Sequence, residues 1–174
     1  MPLTYYIDGY NVIHFCPALR PLADANFESA RDALIERVAR FCSASGDSAK
    51  IVFDGRGRQA DPHLPFRAGP GLEVVYSPAH QSADALIERT AYHAPNRRDL
   101  VVVTGDRGIR GLCRGMGTLV MEPNHFLSTI DERLNRERDD LQRTHERHTG
   151  ISIEERLDEA SQSRIQALKK RLKK

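Results

Sequence analysis

Short apolar runs that stop abruptly at Asp or Gly recur along this chain, and they constrain its fold more than any other feature. Leu3-Thr4-Tyr5-Tyr6-Ile7 runs into Asp8-Gly9-Tyr10-Asn11, Ile51-Val52-Phe53 into Asp54-Gly55, and Leu100-Val101-Val102-Val103 into Thr104-Gly105-Asp106. Continuous β-rich runs of this kind suit strands buried on both faces, the environment of a parallel sheet. Helical patterns separate them. Ala30, Ala33, Leu34, Val38 and Phe41 recur at helical spacing behind Asp24 or Asn26 as a cap, and Ser82 caps a helix through about Tyr92. Alternating strand and helix predicts an α/β layer structure, with helices covering both faces of a central, mainly parallel sheet.

The remaining elements complete that frame. Lys50 to Phe53 is the second predicted strand, Leu72 to Tyr76 the third, Leu100 to Val103 the fourth and Thr118 to Met121 the fifth. The Gly-, Pro- and Arg-rich stretch from Gly55 to Gly71 has no period and reads as a long loop. A helix of mixed charge is expected from about Asn124 to His145. At 174 residues the chain has room for one domain with a real core, here 1–148, and a short extension, 149–174. That extension carries a thin apolar stripe of Ile153, Leu157, Ala160, Ile165, Leu168 and Leu172 on a charged helix. Its last residues, from Ser161, contain Arg164, Lys169, Lys170, Arg171, Lys173 and Lys174 and no acid. Such an end can track a phosphate backbone, or be a solvated helix whose cations suit its C-terminal dipole.

Charge and cysteine usage exclude little but narrow the setting. A formal net charge of +2 neither requires nor excludes a nucleic-acid partner. Cys16, Cys42 and Cys113 are odd in number and lack CxxC spacing, so buried free thiols are expected rather than disulfides or a zinc site. Met-Pro-Leu leads directly into a strand, and no apolar run approaches the roughly 20 residues that span a bilayer. The expectation is a cytoplasmic protein with no membrane partner.

The acids at the strand ends are the candidate chemistry. Ligands of open α/β sheets bind beyond the carboxyl ends of the strands. Asp8, Asp54 and Asp106 would all gather there, whereas one Asp-Gly alone would be an ordinary turn. Asp84 falls in the first turn behind Ser82, where the helix dipole alone explains a carboxylate. Glu88, four residues on, shares its helical face and repels it unless a cation lies between. Oxygen-only sites of this kind suit Mg²⁺ or Mn²⁺. Asn11 can hold the first turn, or orient a phosphate or a metal-bound water. Tyr10 or His14 can stack on a base, though burial suits Tyr10 at least as well.

Four motifs in order, Tyr-Ile-Asp-Gly-Tyr-Asn-Val-Ile (from Tyr6), Val-Phe-Asp-Gly (from Val52), Ser-Ala-Asp-Ala-Leu-Ile-Glu (from Ser82) and Val-Thr-Gly-Asp-Arg (from Val103), resemble the NYN group of PIN-like ribonucleases, in its bacterial YacP-like branch. The resemblance covers about Met1 to Leu127. It implies a three-layer α/β/α PIN-like fold and an acidic centre that cleaves RNA with Mg²⁺ or Mn²⁺. Carried over, the first acid is Asp8 with Asn11 beside it, the second-strand Asp-Gly is Asp54, the helix-start acid is Asp84 with Glu88 after it, and the fourth-strand acid is Asp106. Asp8, Asp84 and Asp106 would be the metal ligands, directly or through water, and Glu88 or Asp54 would position the attacking water. Arg56, Arg58, Arg67, Arg107, Arg110 and Arg114, with Lys169, Lys170 and Arg171, would hold RNA phosphates, and the ribosome is a second candidate partner. One position departs from the family pattern. Many PIN-like enzymes carry a further acid two residues after the fourth-strand Asp, where this chain has Gly108, so a single metal fits better than two.

Other chemistries fit the sequence poorly. Gly105, Gly108 and Gly111 do not form GxGxxG, and there is no GxxxxGK[ST]. His145, Glu146 and His148 lack the HExxH spacing of zinc proteases. Tyr10 stands where an aspartyl-nucleophile phosphatase would carry its second Asp, which makes Asp8 a ligand rather than a nucleophile. A non-catalytic RNA- or ribosome-binding module of the same fold is the rival from another class, and a DNA-directed nuclease shares all the site chemistry.

Overall fold

The computed structural model describes residues 2–55, 66–78, 80–149 and 164. Six strands form one sheet in the order β3-β4-β2-β1-β5-β6. They are β1 (Thr4–Asp8), β2 (Ser48–Phe53), β3 (Phe66–Gly69), β4 (Leu72–Tyr76), β5 (Leu100–Val103) and β6 (Leu119–Met121). All neighbours pair in parallel except β3, which runs antiparallel to β4. Central β1 pairs β2 on one side, with Ile7 opposite Ile51, and β5 on the other, with Ile7 opposite Val103. The chain leaves β1 toward β2 and β4 and later returns to its other side as β5. A crevice opens at such a reversal, beyond the strands' carboxyl ends.

Alternate side chains of the strands enter two cores, which accounts for runs with no polar face. Tyr5, Ile7, Ile51, Phe53, Val101 and Val103 pack in one cluster with Val12 and Ile13 of α1 (Gly9–Phe15), Leu34 and Phe41 of α3 (Phe27–Ser45) and Phe126 of α6 (Pro123–Thr149). Val52, Leu100 and Val102 face the other way, onto Ile87 of α4 (Ala83–His93) and Ile109 and Cys113 of α5 (Arg107–Gly115). The fold is therefore three-layered, helices on sheet on helices, as the family resemblance implies. Ile7, Ile13, Leu34 and Ile51 are fully buried, each contributing about 1.5–3 kcal/mol of hydrophobic stabilisation.

The five predicted strands are all present, as are the predicted helices after residue 26 and at Ser82. Asn26 caps α3 through Glu28 N, at 2.9 Å, and Gly46 ends it in the left-handed region at φ 76°. Three helices and one strand go beyond the sequence reading. The seven-residue α1 and six-residue α2 (Arg20–Ala25) are too short to display a period. Helix α5 spends three of nine positions on glycine, which hides it from propensity. The stretch 55–71 is not all loop, because Gly71, at φ 74°, lets the chain double back so that 66–69 pairs with β4. The expected helix from Asn124 is longer at its C-terminal end, reaching Thr149.

The chain divides into two compact units, Met1–Leu134 and Asn135–Lys174. The first holds the whole sheet, both cores and every candidate site acid. An ion pair of Arg37 with Asp131 and a hydrogen bond from Arg133 to the carbonyl of Ala44 anchor the start of α6 within it. The second unit contains the end of α6, where Leu141 is exposed. Cys16, Cys42 and Cys113 are buried free thiols. No helix among the described residues is long and apolar enough to cross a membrane.

Candidate active site

Each strand-end acid doubles as a structural anchor, and this fixes the geometry of the site. Asp8 closes β1 and caps α1, its Oδ1 accepting from Asn11 N at 3.1 Å. Asp106 follows β5 and caps α5, its Oδ1 accepting from Ile109 N at 2.9 Å. Ser82 caps α4 through Ala85 N at 3.2 Å, which leaves Asp84 in the first turn. Three helix N-termini therefore point toward the end of the sheet where the acids sit, and their dipoles favour negative charge there.

Two polar side chains tie these anchors together. Thr104, fully buried, donates its hydroxyl to Asp8 Oδ2 at 3.4 Å and accepts from Asp106 N at 3.1 Å. Asn11 Oδ1 accepts from Gly105 N at 2.6 Å, fastening α1 to the turn that carries Asp106. A Cβ at Gly105 would fall 2.6 Å from that same oxygen, so any larger residue there would have to displace the Asn11 side chain. On the other flank Ser77, also fully buried, accepts from Gly55 N at 3.2 Å and donates to Asp54 Oδ1 at 3.4 Å. Thr104 and Ser77 escaped the sequence reading. Thr104 had a signal, its place inside Thr104-Gly105-Asp106; Ser77 had none, since it sits 22 residues from its partner Gly55.

Asp8, Asp54 and Asp84 line one open cavity of about 390 Å³ with Tyr10, Asn11, His14 and Ser82. A cavity of about 370 Å³ at the opposite end of the strands is lined by residues that include Thr4, Ser48 and a paired Lys50 and Glu73. The carboxylate-lined one gathers three of the predicted acids. Asp8 is only 5% exposed, and burial, followed by the charges of Asp84 and Asp106, lifts its carboxyl from 3.8 to about 6 against the opposing hydrogen bonds from Asn11 and Thr104. Desolvation, then Asp106 and then Asp54, raises Asp84 as well. Four acids, Asp8, Asp54, Asp84 and Asp106, are thus linked by charge across the mouth of the sheet.

The remaining predicted residues divide. Glu88 is not among the cavity's lining; its charge acts instead on the Cys113 thiol of α5, which burial has already raised. Arg110 is ion-paired with Glu122, which lowers the Glu122 carboxyl, so its guanidinium is committed to a protein partner. Arg107 and Arg114 are exposed on α5. Arg67 lies on β3 opposite Glu73 of β4. Arg56, Arg58, Lys169, Lys170 and Arg171 fall outside the described residues. Of the two proposed stacking residues, Tyr10 already stacks on Phe27, at 4.5 Å and 15°, whereas His14 is exposed.

Among the described residues no three His, Cys, Asp or Glu side chains form a ready-made metal-holding group. One oxygen each of Asp8 and Asp106 is spent on a helix cap, as above. The donor set is all oxygen and acidic, which fits a magnesium-like cation that retains several waters and takes one or two carboxylates directly.

A mainly parallel α/β sheet with clustered acids at the carboxyl ends of β1 and β5 is a nuclease-type architecture, and comparison with known proteins agrees. The model of the YacP-like NYN domain matches residues 5–170, so the chain belongs to the YacP-like NYN family. That match runs well beyond the motif-bearing part of the sequence. The Bacillus subtilis (strain 168) protein YacP is 30% identical over 139 residues, covering 75% of this chain and 78% of that protein. Crystal structures of Bacillus subtilis Rae1 (YacP) have the same fold. One superposes with a TM-score of 0.68 at 26% identity, covering 99% of this chain and 95% of the other. A single-substitution mutant gives 0.67 at 25% identity, covering 95% and 99%.

Proposed function

We propose that the protein is a metal-dependent endoribonuclease that hydrolyses RNA phosphodiester bonds at the Asp8–Asp84 cavity. The observation that supports this most is Asp8 itself. A carboxylate buried at the end of the central strand, raised toward 6 and facing further acids, is costly for the fold and makes sense as a cation site. Asp8 and Asp84 would hold Mg²⁺ or Mn²⁺, with Asp106 reaching it through water; bound there, the ion would neutralise phosphate charge and acidify a water for attack.

The chain's own residues divide the remaining work. Thr104 and Asn11 fix the spacing of the Asp8 and Asp106 segments. Asp54, held by Ser77 and lining the same cavity, would orient the attacking water. Exposed Arg107, one residue from Asp106, would contact a flanking phosphate. Arg114 and the basic C-terminal residues would add longer-range attraction to the RNA backbone. Arg110, paired with Glu122, is left out of this role.

The test is cleavage of single-stranded and structured RNAs with Mg²⁺, Mn²⁺ or EDTA, comparing the wild type with folded Asp8→Asn and Asp84→Asn. Metal-dependent products that vanish in both variants support the enzyme. If all three proteins are inert on naked RNA yet bind it equally, and removal of residues 161–174 abolishes binding, the protein is an RNA-binding module. Activity that emerges only with ribosome-bound RNA would identify the ribosome as the partner that delivers the substrate.

A further inference from the structure

Phe15 is the last residue of α1 and lies four residues after Asn11, on the same helical face. Its ring is 47% exposed. The edge of that ring rests against the turn before Asp106: a Cβ on Gly105 would lie 2.6 Å from Phe15 Cε2 and 3.0 Å from Cζ. Gly105 therefore accommodates two neighbours at once, the Asn11 amide that fixes the acidic turn and the Phe15 ring. The ring is pinned along one edge and wet over much of the rest. Its neighbour His14 is exposed too and lines the carboxylate cavity with Asn11.

We infer that Phe15 is a base-stacking residue, seating the nucleobase next to the scissile phosphate on the Asp106 side of the site. This assignment rests on the nuclease reading above and adds to it the determinant of substrate position. The chemistry favours a nucleobase. An uncharged aromatic face beside clustered acids offers nothing to a phosphate, but it can stack on any base, and it does so best with single-stranded RNA. Tyr10, which lines the cavity itself, has a face taken up by Phe27. Because stacking is sequence-tolerant, Phe15 would set the position of the strand rather than its sequence.

The chain has no tryptophan, so Phe15→Trp creates a single fluorophore at the proposed contact. Tyr92→Trp, at a 62% exposed ring near the far end of α4, serves as the remote reporter. Both substitutions are made in the Asp8→Asn background and titrated with an unstructured RNA oligomer, while anisotropy of labelled RNA reports binding independently. Saturable quenching at position 15 with little change at position 92 is the expected result. Binding seen by anisotropy with unchanged emission at position 15 overturns the stacking role and leaves the nuclease reading intact. No binding by either method removes the RNA reading and the stacking role with it. In the otherwise wild-type enzyme, Phe15→Ala and Phe15→Leu should each raise KM for single-stranded RNA roughly 5- to 100-fold with kcat nearly unchanged, and Phe15→Trp should restore it. Equal KM across the three variants would sink the proposal.

Discussion

The two ends of the same sheet treat charge in opposite ways. At the amino ends of the strands, Lys50 Nζ sits 2.7 Å from Glu73 Oε2, so a cavity of about 370 Å³ has a neutralised wall. At the carboxyl ends, a cavity of about 390 Å³ gathers Asp8, Asp54 and Asp84, with no lysine or arginine among the described residues that line it. Size does not separate the two spaces; charge compensation does. A fold selected only for stability would pair its buried acids. Burying Asp8 among other acids is what the proposed cation site would account for.

The largest test of that contrast is Asp8→Asn. It should reduce metal-dependent RNA cleavage by about 100-fold or more, as measured by initial rates in Mn²⁺. The same change should stabilise the metal-free protein, because the folded state holds the Asp8 carboxyl near 6 against 3.8 for an ordinary one. A raised carboxyl binds its proton more tightly in the folded state than in the unfolded one. Its contribution to stability is thus fully present below about pH 4 and is lost as pH rises through 6. Thermal unfolding in EDTA should find wild type and variant converging near pH 4, with the variant ahead by roughly 3 kcal/mol at pH 7. Mn²⁺ should narrow that gap by stabilising the wild type. A variant that is inactive and less stable at pH 7 would make Asp8 a structural residue and erase the contrast.

A second test breaks the scaffold without touching a carboxylate. Gly105→Ala drives a methyl group into Asn11 Oδ1 and the Phe15 ring. It should cost about 1–3 kcal/mol in denaturant unfolding, the range for overpacking a close contact. It should also lower cleavage, because the Asp106 turn hangs on the Asn11–Gly105 bond. Asp99, also near a strand of the same sheet but hydrogen-bonded to Asn96 and remote from this turn, is the control: Asp99→Asn should leave cleavage unchanged.

Why the acidic end was legible in the sequence, and its supports were not, follows from range. Asp8, Asp54 and Asp106 each end a strand, so local patterning alone brings them to one edge of a parallel sheet. The links between them are non-local: Thr104 reaches Asp8 across 96 residues and Asn11 reaches Gly105 across 94. Nothing in a linear pattern encodes such a bond. Glu88 shows the opposite failure. Its helical spacing from Asp84 is real, but its charge also acts on Cys113 of α5, and which neighbour a helical face meets is a product of packing rather than of period. Arg110 looked like a phosphate ligand until β6 led Glu122 up beside it.

The smallest effect belongs to the amino-terminal end and matters because it should be small. The Lys50 and Glu73 side chains are 37% and 32% exposed, so solvent screens their pairing. Glu73→Gln should therefore cost only about 0–1 kcal/mol in stability, and less in high salt. Lys50 also lies 5.8 Å from the Tyr6 ring centroid, an attraction that survives loss of the carboxylate and limits the damage further. RNA cleavage by Glu73→Gln should match wild type at every Mn²⁺ concentration. If it falls in parallel with Asp8→Asn, the two ends of the sheet are coupled, and the charge contrast between them does not separate a functional site from a structural one.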